Sequence, residues 1–244
     1  MHLLAVLEYD GTDFVGFQRQ KRGRTVQETL EDALGEFGDE PIRIVGGGRT
    51  DAGVHALGQT SSFRIDWAHD LPTLQRAINA KLPCDLAVQS LRQVPEDFSA
   101  RFSAKSRTYL YAVLNQPQRS PLQERYALRY AGTLDVESMR IGALQLVGRH
   151  DLGAFGTPPR GENTVRELMR AEVRRQEARI TFEIEANAFL YRMARRIVGT
   201  LLLLGRGEID LDAFRKVIAR ERRAGDAAPA HGLTLVQVKY DLET

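Results

Sequence analysis

Three adjacent glycines, Gly46 to Gly48, lead directly into Arg49, Thr50 and Asp51, and this segment is the part of the chain best suited to chemistry. Glycines let the backbone turn sharply and approach a ligand closely, and the apolar stretch before them predicts that the turn follows a strand. A carboxylate presented in such a turn can act as a nucleophile or as a base. A plainer explanation also fits, because Asp51 could cap the turn and pair with Arg49 at the surface.

The rest of the sequence argues against several other kinds of site. No Lys-Ser or Lys-Thr pair follows the glycines, so the segment is not a phosphate-binding loop, and the dinucleotide fingerprint lacks its third glycine. The five histidines have no metal-ligating spacing and Cys84 is the single cysteine, so we expect no metal and no cofactor. No Gly-x-Ser-x-Gly elbow accompanies His55, which we interpret as a hydrogen-bonding residue of the loop rather than a base.

Apolar spacing predicts the elements that position this segment. The predicted strands are Leu3–Tyr9, Ile42–Val45, Gln59–Ile65, Ala87–Val94, Thr108–Leu114, Glu167–Arg175, Arg179–Ala186 and Leu233–Tyr240. The predicted helices run from a capping box at Thr25 to Gly38, and over Leu71–Ala80, Asp135–Val147, Phe189–Leu204 and Leu211–Ala219. Between the first strand and the first helix, residues 11–23 form an exposed basic loop. The chain is therefore mixed α/β.

Composition indicates a globular, cytoplasmic protein with nucleic acid as a candidate partner. Of the 244 residues, 43% are hydrophobic and 27% are charged, which supports a folded core. The N-terminus lacks a secretory signal, and apolar stretches such as Leu201 to Leu204 are far too short to cross a membrane. The net charge is only +2, yet residues 160–223 hold 15 basic against 10 acidic side chains, and only 5 of the 34 cations are lysine. Arginine suits phosphate contacts, although genome composition would explain the same bias.

A long block of sequence resembles the TruA family of tRNA pseudouridine synthases. Residues 48–56, Gly-Arg-Thr-Asp-Ala-Gly-Val-His-Ala, match the family's signature loop without interruption. Further matching blocks follow along almost the whole chain: Tyr9–Phe14, Gly16–Gln18, Thr25–Gln27, Phe98–Arg101, Arg107–Tyr111, Asn187–Arg195, Ile197–Gly199 and Gly232–Leu235. The departures are small: Phe17 replaces the usual tryptophan, Ala194 replaces the usual valine, and Ser99 stands where an acidic, amide or histidine residue is common.

The resemblance implies an activity, a substrate and an essential residue. It implies isomerisation of uridine to pseudouridine at positions 38, 39 and 40 of the tRNA anticodon arm, with Asp51 as the essential carboxylate and no cofactor. The reaction breaks the bond between N1 and C1′, turns the uracil and rejoins it through C5. It therefore needs a carboxylate near C1′ and C2′ and the exclusion of water. The residues leave open whether Asp51 attacks C1′ or removes a sugar proton.

The resemblance also gives roles to side chains outside this loop. Alternation along residues 108–114 puts Tyr109 and Tyr111 on one strand face, and the family likeness selects Tyr109 to stack on the flipped uracil, with Tyr111 as a core residue. Arg195 resembles the family arginine that pairs with the catalytic carboxylate. Arg192 and Arg196 are instead expected on a solvated helix face. Arg49 is a further substrate-binding candidate.

The basic loop is a candidate tRNA contact. Its cations Arg19, Lys21, Arg22 and Arg24 could bind phosphates, and solvated surface charge is the alternative explanation. The resemblance implies a homodimer, so we expect the loop of one protomer to help hold a tRNA whose target uridine lies in its partner.

The fold that the resemblance implies is α/β (α+β), with two similar halves, each an antiparallel sheet packed with helices, and the sheets joined side by side with the active-site cleft between them. We predict an N-terminal half over residues 1–104 that carries Asp51, and a C-terminal half over residues 105–244 that carries Tyr109, Arg195 and much of the basic surface. Two other functions stay open. One is a nucleic-acid N-glycosylase that lets water complete the reaction, and the other is an RNA-binding protein without catalysis.

Overall fold

The computed structural model describes residues 1–38, 40–158 and 161–242 of the chain. Arg160, the first cation of the basic segment, and the last two residues of the predicted C-terminal half lie outside these ranges. The described residues form two compact units, one of Met1–Lys105 with the segment from Leu235 onward, the other of Ser106–Thr234. Each unit contains a sheet packed with helices, so the mixed α/β class predicted from the sequence is confirmed.

The strands and helices follow the predicted order. The first unit contains β1 (His2–Tyr9), α1 (Val26–Gly35), β2 (Val45–Gly46), β3 (His55–Arg64), α2 (Leu71–Lys81) and β4 (Leu86–Gln93). Next come β5 (Ala104–Leu114), β6 (Leu128–Arg129), α3 (Val136–Leu144), β7 (Gly148–Asp151), β8 (Val165–Gln176), β9 (Arg179–Ala186), α4 (Met193–Gly205), α5 (Leu211–Ile218) and β10 (Leu233–Tyr240). The apolar patterns predict β9 and β10 to the residue and miss the short strands β6 and β7.

The sheet of the first unit has the order β4–β1–β3–β10, with β2 beside β3. β1 runs antiparallel to both β3 and β4, and β2 runs antiparallel to β3. Fully buried apolar side chains come from β1 and from both helices: Leu3, Leu7, Leu30, Leu34, Leu74 and Ile78. Burial of each such side chain stabilises the unit by roughly 1.5–3 kcal/mol. β3 is a central strand, and its first residue follows the segment that contains Asp51.

The sheet of the second unit has the order β5–β9–β8–β7. These neighbours are antiparallel, while β6 adds a short parallel pair at the end of β5. Two glycines let α3 and α4 pack closely. A Cβ on Gly142 would lie 2.6 Å from the side chain of Leu204, and one on Gly205 would lie 2.6 Å from the sulfur of Met139. Both distances are far below van der Waals contact, so a Cβ at either position would force the side chain of Leu204 or Met139 to move.

The strand predicted at Ile42–Val45 is largely wrong, because β2 contains only Val45 and Gly46. The backbone N–H of Ile44 does not join a sheet and instead donates to the carboxylate of Glu31 on α1, at 3.2 Å. Glu31 is buried and also accepts from Arg43 at 3.0 Å. A side chain thus replaces the strand partner that the apolar pattern indicated.

The predicted start of the helix at Phe189 is also wrong, because α4 begins at Met193. Arg192 has a left-handed backbone with φ of 61°, which ends any helix that reaches it from the N-terminal side. The N–H of Tyr191 donates to the carbonyl of Thr157 at 2.9 Å rather than within a helix. Two other helices end earlier than predicted, α1 at Gly35 and α3 at Leu144.

Candidate active site

Asp51 lies in the segment that connects β2 to β3, here called the Asp51 loop (residues 46–54). Its side chain is half-buried, and its backbone forms an isolated antiparallel bridge with Gly16. Gly16 has φ of 118°, and a Cβ there would lie 3.0 Å from the carbonyl oxygen of Thr50. The N–H of Phe17 donates to that same carbonyl at 3.0 Å. The chain after β1 therefore braces the Asp51 loop along its backbone, and glycine is required at the closest approach.

The amide of Gln59 on β3 clamps the middle of the Asp51 loop. Its Oε1 accepts from the N–H of Gly48 at 3.2 Å, and its Nε2 donates to the carbonyl of the same glycine, also at 3.2 Å. Gln59 is 0% exposed. A buried amide that satisfies both backbone groups of one residue fixes the plane of the adjoining peptides, because breaking either bond would leave a buried polar group unpaired.

The hydrogen bonds of Gln59 continue through Tyr9 to Thr50, the residue before Asp51. The hydroxyls of Tyr9 and Thr50 lie 2.7 Å apart, and Nε2 of Gln59 also donates to the Tyr9 hydroxyl at 3.4 Å. Burial raises the pKa of the Tyr9 phenol to about 12. The phenol therefore stays protonated at neutral pH, and the layer under the Asp51 loop is uncharged.

Gly47 packs against a second pair of hydroxyls. Its N–H donates to the carbonyl of Thr60 at 2.8 Å. A Cβ on Gly47 would lie 2.1 Å from Oγ1 of Thr60 and 2.7 Å from the hydroxyl of Tyr240. Those two oxygens are 2.6 Å apart, and Tyr240 donates its proton to the carbonyl of Ala100, also at 2.6 Å. Thr60 must therefore donate to Tyr240, since the phenol has a single proton.

Phe17, which stands where the family usually has tryptophan, packs against Gly46. A Cβ on Gly46 would lie 2.3 Å from the ring of Phe17, which is buried. The aromatic ring at position 17 thus packs on the bare backbone of the first glycine. Phenylalanine supplies that contact without the indole nitrogen of the tryptophan more usual in the family.

His55 makes the structural contacts expected of it. Its Nδ1 accepts from the N–H of Gly11 at 3.0 Å, and a carboxylate oxygen of Asp10 lies 3.1 Å from the same nitrogen. The side chain is buried at the start of β3. His55 therefore ties the end of the Asp51 loop to the chain that leaves β1. Arg49, the other candidate on this loop, is exposed.

All four cations of the basic loop are exposed, but Arg19 and Arg24 also form ion pairs. Arg19 forms ion pairs with Glu28 and Glu31 of α1, both at 3.1 Å. Arg24 pairs with Asp85, and its guanidinium lies 4.1 Å from the ring centroid of Phe14. Lys21 and Arg22 are exposed and form no ion pair within the described part of the chain. Of the four candidates, these two are the better placed to meet an external phosphate.

The remaining candidates, Tyr109 and Arg195, belong to the second unit. Tyr109 is 7% exposed and meets the ring of Phe189 edge-on, with centroids 4.8 Å apart. Arg195 is half-buried on the first turn of α4 and donates from Nε to the carbonyl of Ala228 at 2.7 Å. Both are held in defined orientations, Tyr109 by an aromatic contact and Arg195 by a backbone contact.

Tyr111 and Arg192 agree with the structural roles expected of them. Tyr111 is fully buried and donates its hydroxyl proton to the carbonyl of Pro229 at 3.0 Å. Burial raises the pKa of this phenol, and the nearby charge of Arg195 partly opposes that change. Arg192 is exposed, as predicted, whereas Arg196 is half-buried. The hydroxyl of Tyr111 thus has a structural hydrogen bond of its own.

Sequence reasoning missed Gln59, although the residues around it contained a usable signal. Gln59 begins a run of four polar residues, Gln-Thr-Ser-Ser, in the middle of a central strand. Polar side chains are expected to alternate with apolar ones in a strand that has one solvated face. A buried run of consecutive polar side chains therefore indicates that side chains of this strand form hydrogen bonds with a neighbouring backbone, which here is that of the Asp51 loop.

The described residues contain neither a cluster suited to a metal ion nor a helix that could span a membrane. No group of three or more His, Cys, Asp or Glu side chains in those ranges is arranged to hold a metal ion. No helix in them is long and apolar enough to span a bilayer.

Comparison with known proteins decides the family. The model of a family described as tRNA pseudouridine synthase matches residues 5–103 and 143–241. The chain belongs to this family. The resemblance seen in the signature loop is therefore confirmed, and the protein is an isomerase that modifies tRNA.

Curated relatives match nearly the full length of this chain. One named tRNA pseudouridine synthase A, from Chloroflexus aurantiacus, is 47% identical over 242 residues, which cover 96% of this chain and 87% of the relative. Another of that name, from Thermoanaerobacter sp. (strain X514), is 37% identical and covers 98% of this chain and 99% of its own. A crystal structure of a Cbf5-Nop10-Gar1 complex covers 96% of this chain and 48% of that chain at 11% identity, with a TM-score of 0.40. A likeness that distant supports no argument.

We expect Gln59→Met to lower kcat on tRNA by roughly ten- to a hundredfold while KM changes less than about threefold. Methionine has a similar volume but cannot clamp both backbone groups of Gly48, so the Asp51 loop loses its fixed geometry. Steady-state kinetics on a tRNA transcript measure both constants.

Ser61→Ala is the matched control for this substitution. Ser61 lies two residues along the same strand, is equally buried, and has no hydrogen-bond partner for its hydroxyl among the described residues. We expect its kcat to stay within about twofold of the parent. A Gln59→Met enzyme with parental kcat would show that the clamp does not govern turnover.

Proposed function

We propose that this enzyme converts uridine to pseudouridine at positions 38, 39 and 40 of the anticodon arm of tRNA, with Asp51 as the essential carboxylate and without a cofactor. The observation that carries the proposal is the setting of Asp51. It is the one carboxylate in residues 46–54 and it is half-buried; the amide of Gln59 holds the backbone before it at Gly48, and its own backbone is bridged to Gly16. A family of tRNA pseudouridine synthases needs a carboxylate at the ribose, and this loop presents one.

The chemistry that we propose balances without an external reagent. The bond between N1 and C1′ breaks, the uracil turns, and a bond between C5 and C1′ forms. C5 then loses its proton and N1 gains one, so that product and substrate have the same composition. Asp51 either bonds transiently to C1′ until C5 displaces it, or removes a proton from C2′ and returns it when the C5–C1′ bond forms, and both roles use an ionised carboxylate at the same place. No electron transfer or energy source is required.

We propose that Tyr109 and Arg195 act on the same uridine. The phenol of Tyr109 would stack on the turned uracil and assist proton movement at C5, and the guanidinium of Arg195 would stabilise the ionised carboxylate of Asp51. Two contacts support these roles, since the ring of Phe189 fixes Tyr109 and the carbonyl of Ala228 holds Arg195. Arg49 is the further candidate for substrate binding. All of these assignments rest on the family likeness of the residues.

We also propose that the enzyme works as a cytoplasmic homodimer in which the basic loop of one protomer holds tRNA bound at the partner. The exposure of Lys21 and Arg22 supports their role in phosphate binding. Arg19 and Arg24, by contrast, already neutralise carboxylates of their own chain. They remain candidates of lower weight.

We expect the parent enzyme to produce pseudouridine at positions 38 to 40 of an unmodified tRNA transcript, and Asp51→Asn to lose at least about a thousandfold in rate. The dissociation constant for tRNA should change less than about threefold, because one carboxylate adds little to an interface dominated by phosphate contacts. Nucleoside analysis and mapping of the modified positions give the product, and filter binding gives the affinity. Release of free uracil would instead indicate a glycosylase, and an unchanged transcript would indicate an RNA-binding protein.

We expect Tyr109→Phe to lower the rate by roughly a hundredfold or more while tRNA affinity changes less than twofold, since the ring remains and only the hydroxyl is lost. Tyr111→Phe is the control on the same strand face, because its hydroxyl bonds only to the carbonyl of Pro229 among the described residues. That control should lose about 1 kcal/mol of stability and little rate. Equal rates for Tyr109→Phe and the parent would leave Tyr109 with stacking alone.

We expect an Asp51→Ala protein mixed with a Lys21→Gln/Arg22→Gln protein to be more active than the sum of the two alone, once their subunits exchange. A mixed dimer then contains one intact site, with Asp51 from one chain and the basic loop from the other. Arg24 is left unchanged because its pair with Asp85 supports the fold. Proven exchange without any gain in activity would mean that each protomer binds its tRNA alone.

A further inference from the structure

Phe102 is 80% exposed, more than any other aromatic side chain among the residues that the structure describes. The guanidinium of Arg101 lies 5.4 Å from the centroid of its ring. The cation thus covers one face of the ring, and the high exposure leaves the other face open. A large apolar side chain in that state gains nothing for the fold of its own chain.

The turn that carries Phe102 is rigid. Residues 99–103 are closed by a hydrogen bond from the N–H of Ser103 to the carbonyl of Ser99, at 2.9 Å. A second bond, from the N–H of Ser99 to Oγ of Ser103, has a length of 3.1 Å. Two bonds across five residues hold the backbone of this turn, so the exposure of the ring does not come from a loose chain.

The same turn is joined to the Asp51 loop within the first unit. Ala100 is fully buried, and its N–H donates to Oγ of Ser62 on β3 at 3.2 Å. Its carbonyl accepts from Tyr240, whose hydroxyl also receives the proton of Thr60 beside Gly47. One cluster of hydroxyls therefore contacts both the backbone of the turn that carries Phe102 and the Asp51 loop at Gly47.

We propose that the open face of Phe102 is a stacking platform for an unpaired base of the substrate tRNA, with the guanidinium of Arg101 as the second layer of the stack. Flat aromatic side chains accompanied by arginine bind single-stranded RNA through the faces of its bases, and the cation suits the phosphates that come with them. This inference rests on tRNA as the substrate and extends the site by one contact.

A second copy of this chain fits the platform less well than RNA. Protein interfaces of ordinary size bury about 800 Å² per partner around an apolar centre that is poor in charge. Within residues 99–103 the ring is the only exposed apolar group, since Ala100 is buried and the others are two serines and Arg101. An isolated ring beside a cation matches a nucleotide better than a subunit interface.

The test compares Phe102→Ala, Phe102→Leu and Phe102→Tyr in tRNA binding at several salt concentrations. We expect the alanine and leucine variants to lose roughly five- to a hundredfold in affinity for an unmodified transcript, and the tyrosine variant to stay within about twofold. The slope of affinity against salt should be unchanged in all three, because the ring binds no phosphate. Leu122→Ala, at a site that is 88% exposed and not aromatic, is the matched control and should bind like the parent.

The outcomes separate this inference from the proposed function. Product formation is measured independently, so a protein that binds tRNA through Phe102 but makes no pseudouridine would refute the function and keep the platform. Parental affinity in Phe102→Ala would refute the platform, as would equal losses in the leucine and tyrosine variants. Sedimentation at several concentrations tests the other occupant. Weaker self-association of Phe102→Ala with unchanged tRNA affinity would assign the ring to a second copy of the chain.

Discussion

The Asp51 loop has to be held by hydrogen bonds to its backbone, because the three glycines that form its start have no side chains to pack. Gln59 meets this constraint with an amide that bonds both polar groups of Gly48. The absence of a side chain is also what makes the arrangement possible, since a Cβ on Gly47 would overlap the hydroxyls of Thr60 and Tyr240. Each such hydrogen bond contributes only about 1 kcal/mol net, yet loss of a partner in the buried layer costs more. The site therefore depends on several bonds that are individually weak.

The net charge is only +2 because 32 acidic residues offset the 34 lysines and arginines, and several of these arginines form ion pairs with carboxylates of their own chain. Arg19 neutralises Glu28 and Glu31 on α1, and Arg170 lies 2.6 Å from Glu183 and 3.3 Å from Glu185 within the sheet of the second unit. Such arginines already pair with carboxylates of their own chain, and binding a phosphate would mean breaking those ion pairs. Counting cations in the sequence overstates the charge that RNA could use without breaking an ion pair, because in the basic loop only Lys21 and Arg22 are exposed and without an ion pair among the described residues.

Most strands and helices could be predicted from the sequence, because each one has a buried face and an exposed face, and this produces an apolar repeat within its own residues. β9 alternates cleanly and is predicted to the residue. The pattern fails where a distant partner competes with the local one. Ile44 bonds to Glu31 rather than to a strand, and Tyr191 bonds to Thr157 rather than within a helix. For the candidate site, the family likeness selects Asp51 as a prediction, but the hydrogen bonds from Gln59 to Gly48 depend on which strand lies next to the loop, and spacing along the chain does not contain that information.

The first unit cannot be completed until the last strand, β10, has been synthesised. Tyr240 contacts Thr60 across 180 residues of sequence, and this contact lies directly beside Gly47. A ribosome makes residues in order, so the strands β1 to β4 emerge long before the hydroxyl that completes the packing under the Asp51 loop. Closing so long a stretch also slows folding, because chain entropy opposes distant contacts. The nascent chain thus lacks the Tyr240 hydroxyl beside Gly47 while the second unit is being made, and this one contact forms only after residue 240 has left the ribosome.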